Sequence, residues 1–227
     1  FTLTCQDLRL DRAVTGKILR LGSPVALQDL LVNLSFLAIL AIANAMGTVA
    51  SAGVGVADKL CAFVMLVPSA YMQSMSAFVA QNVGAGNQKR ARKAMFTGIG
   101  LGLVFGCAVF ALVLYEGDVL AGIFSPDAEV VQKGFEYLKG FAPETIVTAI
   151  LFSMVGYFNG NQKTLWVMVQ GLVQTLLVRL PLAYFMSIQP NASLTNIGLA
   201  APASTAVGIV LNVGFYIYLN RTQNNSE

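Results

Sequence analysis

Apolar and charged residues fall into long separate blocks along this chain. Asp, Glu, Lys and Arg are absent from residues 30–57, 60–88, 94–115 and 145–162. A helix needs about 20 mainly apolar residues to cross the hydrocarbon core of a bilayer, so blocks of this length predict membrane spans. With the breaks marked by Gly, Pro and polar clusters, the pattern predicts six helices over about residues 23–46, 54–81, 94–115, 137–158, 164–187 and 198–219. Ser23 is a suitable N-cap for the first, with Pro24 tolerated in its first turn. The small-residue run GTVASAG separates the first two helices and the uncharged QPNASLTN the last two. Glycines in the third permit close helix contact.

Composition agrees. Apolar residues make up 56% of the 227 and charged residues 11%, against roughly 45–50% and about 25% in soluble domains. Three isolated cysteines (Cys5, Cys61, Cys107) form neither a disulfide framework nor a metal-ligand spacing. With no His, the commonest acid/base side chain is missing. The chain begins at Phe1 without a signal-like leader and reads as a piece of a longer protein.

Charge placement orients the helices. Six spans put both ends on one side, which carries Arg9, Arg12, Lys17, Arg20, Lys89, Arg90, Arg92, Lys93, Lys163 and Arg221. The opposite loops hold Lys133 and Lys139 among five acids. By the positive-inside rule, both ends of the chain are expected in the cytoplasm and the helices in the cell (plasma) membrane. The stretch FVAQNVGAGNQKRARKA (78–94) then reads as a cytoplasmic turn. It lacks the Gly-Lys-Ser/Thr of a phosphate loop and the aromatics that stack nucleic-acid bases, so no nucleic-acid partner is expected.

Four motifs in order, GSPVALQ (22–28), FVAQNVGAGNQKRARKA (78–94), GYFNGNQKT (156–164) and VRLPLAYF (178–185), together resemble the carboxy-terminal half of the multidrug and toxic compound extrusion (MATE) transporters. The resemblance implies an all-α, polytopic fold: a six-transmembrane-helix lobe of a two-lobed (6+6) secondary transporter. Residues 1–22 would be the cytoplasmic inter-lobe linker, 23–220 the lobe and 221–227 a cytoplasmic tail. It further implies efflux of organic, often cationic, drugs by antiport with H+ or Na+. The expected partners are the amino-terminal six-helix lobe, membrane lipid and small organic cations, with no organic cofactor, metal or catalytic residue.

Charged side chains inside spans are costly, from about 2.5 kcal/mol upward at the centre, and therefore mark functional positions. Asp29 shares a helix face with Asn33 and Asn44, within about 60° at 100° per residue. It is either part of a cavity-facing stripe or an interfacial carboxylate near a helix start. Members of the resembled family often use acids in the equivalents of the first and fourth helices for ion coupling, which makes Asp29 and Glu144 the coupling candidates. The middle of the first helix carries no acid, a departure that weakens Na+ coupling through this lobe. Glu144 and Arg179 lie about 28 Å and 24 Å from the inner ends of their antiparallel helices. That similar depth suggests an ion pair near the outer surface, which would oppose a proton-carrying role, although Arg179 could equally snorkel to head groups. Gln170, Gln174 and Asn212 could bind substrate or bridge helices.

Met65, Met72, Met75, Phe152, Met154, Tyr157 and Phe158 could form a pliable wall for drug cations or pack as core. Asp58 and Lys59 read as capping and anchoring residues, and Pro68 and Pro181 as kinks. The alternative function is a lipid-linked oligosaccharide flippase of related fold, which would need several cations in its cavity, where only Arg179 is a candidate. A membrane enzyme would need a catalytic cluster that the sequence lacks.

Overall fold

The computed structural model of the protein describes residues 11–224. Its helices are α1 (Arg12–Ala45), α2 (Thr48–Gly84), α3 (Gln88–Gly122), α4 (Ala128–Phe141), α5 (Glu144–Gly160), α6 (Thr164–Leu172), a π-helical segment (Val173–Arg179), α7 (Leu180–Ser187), α8 (Leu194–Gly198) and α9 (Ala200–Asn224). Residues Thr164–Ser187 act as one apolar span and Leu194–Thr222 as another. The pair α4–α5, bent by 49°, completes six crossings when counted as one. Large apolar side chains face outward: Val104, Leu177 and Val210 are each 70% exposed or more. Such a surface suits lipid and not water, and the chain is a multi-pass membrane protein.

Helix α2 begins at Thr48, inside the GTVASAG run expected to separate it from α1, and α3 runs from Gln88 to Gly122, beyond the expected 94–115 at both ends. Three further boundaries differ from the sequence pattern for identifiable reasons. Helix α1 starts at Arg12, because Asp11 caps it by accepting from Ala13 N at 2.7 Å and Val14 N at 3.4 Å. Ser23 and Pro24 therefore lie within the helix, and the expected linker 1–22 is helical from Arg12 onward; residues 1–10 lie outside the described residues. The expected tail also begins as helix, since α9 reaches Asn224. The predicted helix 137–158 breaks at Ala142–Pro143, where the missing proline N–H cannot complete the ladder.

Helix α2 packs on α3, α4 and α5. Two apolar clusters form the core, one around Tyr137, Leu138, Phe141 and Ile197, the other around Val79, Met95, Phe158 and Val167. In the first, α4 and α8 cross at Gly140 and Gly198. A Cβ on Gly140 would run into the Thr195 carbonyl, and one on Gly198 into that of Tyr137. Close backbone approach at small residues is how membrane helices associate without a hydrophobic driving force between them.

The basic turn lies against the second cluster's end of the lobe. Gly86 takes a φ of +73°, open to glycine at no steric cost, and Asn87 caps α3 by accepting from Arg90 N at 3.2 Å. Gln88 Nε2 donates to Tyr157 Oη and Asn161 Oδ1, both at 2.9 Å. Arg92 donates to Asn220 Oδ1 at 2.7 Å. These bonds tie the start of α3 to the ends of α5 and α9, gathering Lys89, Arg90, Lys93, Lys163 and Arg221 at one end of the molecule.

Candidate functional site

Between the two apolar clusters lies a cavity of about 230 Å3, lined by Phe141 from the first and by Leu151 and Val155 from the second. Its polar lining comes from four elements: Gln28 and Asp29 on α1, Glu144, Thr148 and Asn159 on α5, and Gln174, Thr175 and Arg179 on the π segment, with Ser69 from α2. The bend at Pro143 makes Glu144 the first residue of α5. Its carboxylate is buried, with Oε1 accepting from Thr205 Oγ1 at 2.8 Å.

A continuous hydrogen-bonded chain leads away from that carboxylate. Thr205 Oγ1 in turn accepts from Gln174 Nε2 at 2.9 Å, and Gln174 Oε1 accepts from Gln170 Nε2 at 2.6 Å. Gly208 lets α9 approach, since a Cβ there would sit 2.5 Å from Gln174 Oε1 and 2.6 Å from Gln170 Nε2. The far side of the cavity is less satisfied. Glu144 Oε2, Thr148 Oγ1, Asn159 Oδ1 and the Nε and Nη2 of Arg179 are buried without a protein hydrogen-bond partner. Buried polar groups are paired in the great majority of cases, so several orphans around one cavity indicate groups kept ready for water, ion or ligand.

Arg179 reaches this position through the π segment. Leu180 N–H donates to Thr175 O, five residues back. Pro181 comes directly after it; its ring excludes the carbonyl four residues before it, and the turn widens where the sequence pattern suggested a kink. The guanidinium stacks on Phe36, 4.3 Å from the ring centroid. Glu144 and Arg179 thus share a cavity, as their depths suggested, but the expected ion pair is not formed. The carboxylate turns to Thr205 and the guanidinium to Phe36, and among the described residues the ion pair found joins Lys133 to Glu136 at 2.9 Å.

The other candidates separate. Asp29 lines the cavity from an exposed position, whereas Asn33 donates to the Asp29 carbonyl at 2.8 Å and Asn44 is exposed, both away from the lining. Asn212 is buried between α6 and α9, accepting from Trp166 Nε1 at 2.9 Å. Met65, Met72 and Phe152 line the cavity; Met75, Met154, Tyr157 and Phe158 are core. Asp58 caps nothing, because α2 begins at Thr48. Its Oδ1 is buried without a hydrogen-bond partner.

Thr205 is the residue that the sequence does not single out, because a lone Thr in an apolar helix gives no signal. Thr205→Val is expected to strand Glu144 Oε1 and the Gln174 amide together. The cost is about 1–3 kcal/mol, read as a lower unfolding temperature in detergent; Thr205→Ser restores it.

The chain spans about half the length of the relatives it matches. It is 24% identical over 216 residues to the probable multidrug resistance protein YoeA of Bacillus subtilis, covering 93% of this chain and 46% of that one. With the FAD transporter of Shewanella oneidensis it shares 28% identity over 181 residues, 78% of this chain and 39% of the other. A multidrug resistance MATE family transporter solved in its outward-facing conformation superposes with a TM-score of 0.86 at 17% identity, over 99% of this chain and 50% of that one. The fold is therefore that of half a MATE transporter, and the relatives are transporters, not enzymes. With the MatE family model matching residues 24–185, the chain belongs to the MatE family.

Proposed function

We propose that this chain is the carboxy-terminal lobe of an efflux antiporter that exports organic cations in exchange for H+ or Na+. Glu144 is its coupling carboxylate. One observation carries the reading: a buried carboxylate in the cavity lining whose Oε1 is fixed by Thr205 while Oε2 makes no hydrogen bond. A negative charge held in this way can be neutralised by a proton, by Na+ or by a cationic substrate. Exchange results if the site holds only one at a time, because each occupant then displaces the other. Gln170 and Gln174 position the carboxylate through Thr205, and Asp29 offers a second negative group at the cavity rim. Met65, Met72, Phe36 and Phe152 supply adaptable apolar and aromatic wall.

The amino-terminal six-helix lobe would close the other side of the cavity, consistent with relatives twice as long. The cations gathered around the 85–87 and 161–163 turns support a cytoplasmic placement of that end, in the cell membrane. A flippase holding a pyrophosphate needs several cations, and the lining offers Arg179 alone.

Ethidium uptake into everted vesicles, with an imposed H+ or Na+ gradient, tests the reading. Uptake driven by one gradient is expected when this chain is joined to its amino-terminal half. Absence of uptake under both gradients would overturn it.

A further inference from the structure

At the basic end, α2 and α3 diverge to leave a groove of about 480 Å3 on the outside of the lobe. Its mouth carries Arg90 and Lys93, one turn apart on α3 and so on one face of that helix. Gln88 and Arg92 are engaged elsewhere, with α5 and α9. The Arg90 guanidinium lies over the Phe78 ring, 5.4 Å from its centroid, so charge sits directly above the apolar wall. Below the mouth the groove runs past Phe78 and Tyr71 to Leu101. There a second hollow of about 230 Å3 shares Tyr71 and Leu101 and continues to Phe105. From Lys93 to Phe105 is about 18 Å along α3, close to one leaflet's share, about 15 Å, of the hydrocarbon core.

We propose that this groove binds one anionic phospholipid, its phosphate between Arg90 and Lys93 and one acyl chain along Phe78, Tyr71 and Leu101. The charge is complementary: among the described residues neither cation has an acidic partner, and the ion pair found there involves Lys133 and Glu136. Basic pockets between membrane helices are suited to phosphate head groups. An organic cation would be repelled at this mouth, which separates the groove from the acid-bearing cavity behind α5. Gly98 lets the Tyr71 side chain lie against α3, where it forms part of the groove's wall. This inference is independent of the coupling role given to Glu144.

The test uses the full-length transporter containing this chain, purified in detergent and examined by native mass spectrometry. Phosphatidylglycerol and phosphatidylcholine of identical acyl chains serve as probes. One retained phosphatidylglycerol is expected, preferred by about tenfold. The preference should fall to parity in the Arg90→Gln/Lys93→Gln double variant and survive in Lys89→Gln/Lys163→Gln, which removes equal charge at the same end. Equal loss in both double variants would reduce the effect to diffuse attraction and overturn the site, as would equal retention of phosphatidylcholine. Independently of variant stability, p-benzoylphenylalanine in place of Leu101 should crosslink to phospholipid on illumination. Crosslinking to the amino-terminal half instead would show that protein covers the groove and would equally overturn the proposal.

Discussion

Replacing Glu144 with Gln is expected to lower gradient-driven efflux by the full-length transporter at least tenfold, about 1.4 kcal/mol or more, while leaving it folded. The amide is nearly isosteric with the carboxylate. Its oxygen can still accept from Thr205 Oγ1, which keeps the chain Gln170–Gln174–Thr205 intact. What disappears is the negative charge facing the cavity, the property that the proposed exchange requires. Ethidium efflux measured beside an unfolding temperature separates the two effects. Near-normal efflux from a stably folded Glu144→Gln protein would remove Glu144 from the coupling role. Asn33→Ala or Asn44→Ala, lying off the cavity lining, should leave efflux within about twofold, in keeping with the small cost of most surface substitutions.

The second large effect concerns folding. Gly140→Val places branched carbon where the Thr195 carbonyl of α8 already stands, with Leu199 N at 3.0 Å from the Cβ position. The obstruction is backbone, so no rotamer change relieves it, and α4 must move away from α8. Overpacking usually costs about 1–3 kcal/mol, and the upper end is expected here because Gly198 opposes Tyr137 at the same crossing. Monodisperse yield in size-exclusion chromatography should collapse. Gly55→Val, at a glycine whose Cβ would meet nothing within 4 Å, is the matched control, with its yield largely retained. Equal yields from the two variants would show that the α4–α8 contact does not limit assembly.

The six crossings were legible because uncharged blocks of bilayer length have few other readings, and the positive charges gather at one end as the loops implied. Glu144, Gln170 and Gln174 stood out for the same reason: polar side chains in apolar helices are few. Their connection was not legible, because it passes through Thr205 of a later helix, 31 residues after Gln174 and 61 after Glu144. The position of Asp58 was obscured by its neighbour Lys59, which suggested a membrane surface, whereas the helix half-buries Asp58 and exposes Lys59. The early start of α1, capped by Asp11, was missed because Ser23-Pro24 reads in the sequence as the helix start. The direct Glu144–Arg179 pair failed because depth along two helices fixes a layer but not an azimuth, and the wide turn before Pro181 decides the azimuth of Arg179.

That wide turn also bears on how the protein can change over generations. Because Leu180 N–H reaches back to Thr175, the segment carries one more residue than an α-helical turn would. Wound as ordinary α-helix, the same residues would turn α7 by about 100° relative to α6, whereas loss of one residue between 176 and 178 would let the ladder close normally with α7 still facing as it does. Wide turns of this kind are local features of otherwise regular helices, so such a loss need not disturb the rest of the span. The placement of the cavity's positive charge is thus set by how the backbone winds before Pro181 as much as by residue identity, and the wide turn is a place where one codon can be lost without reorienting the helix beyond it.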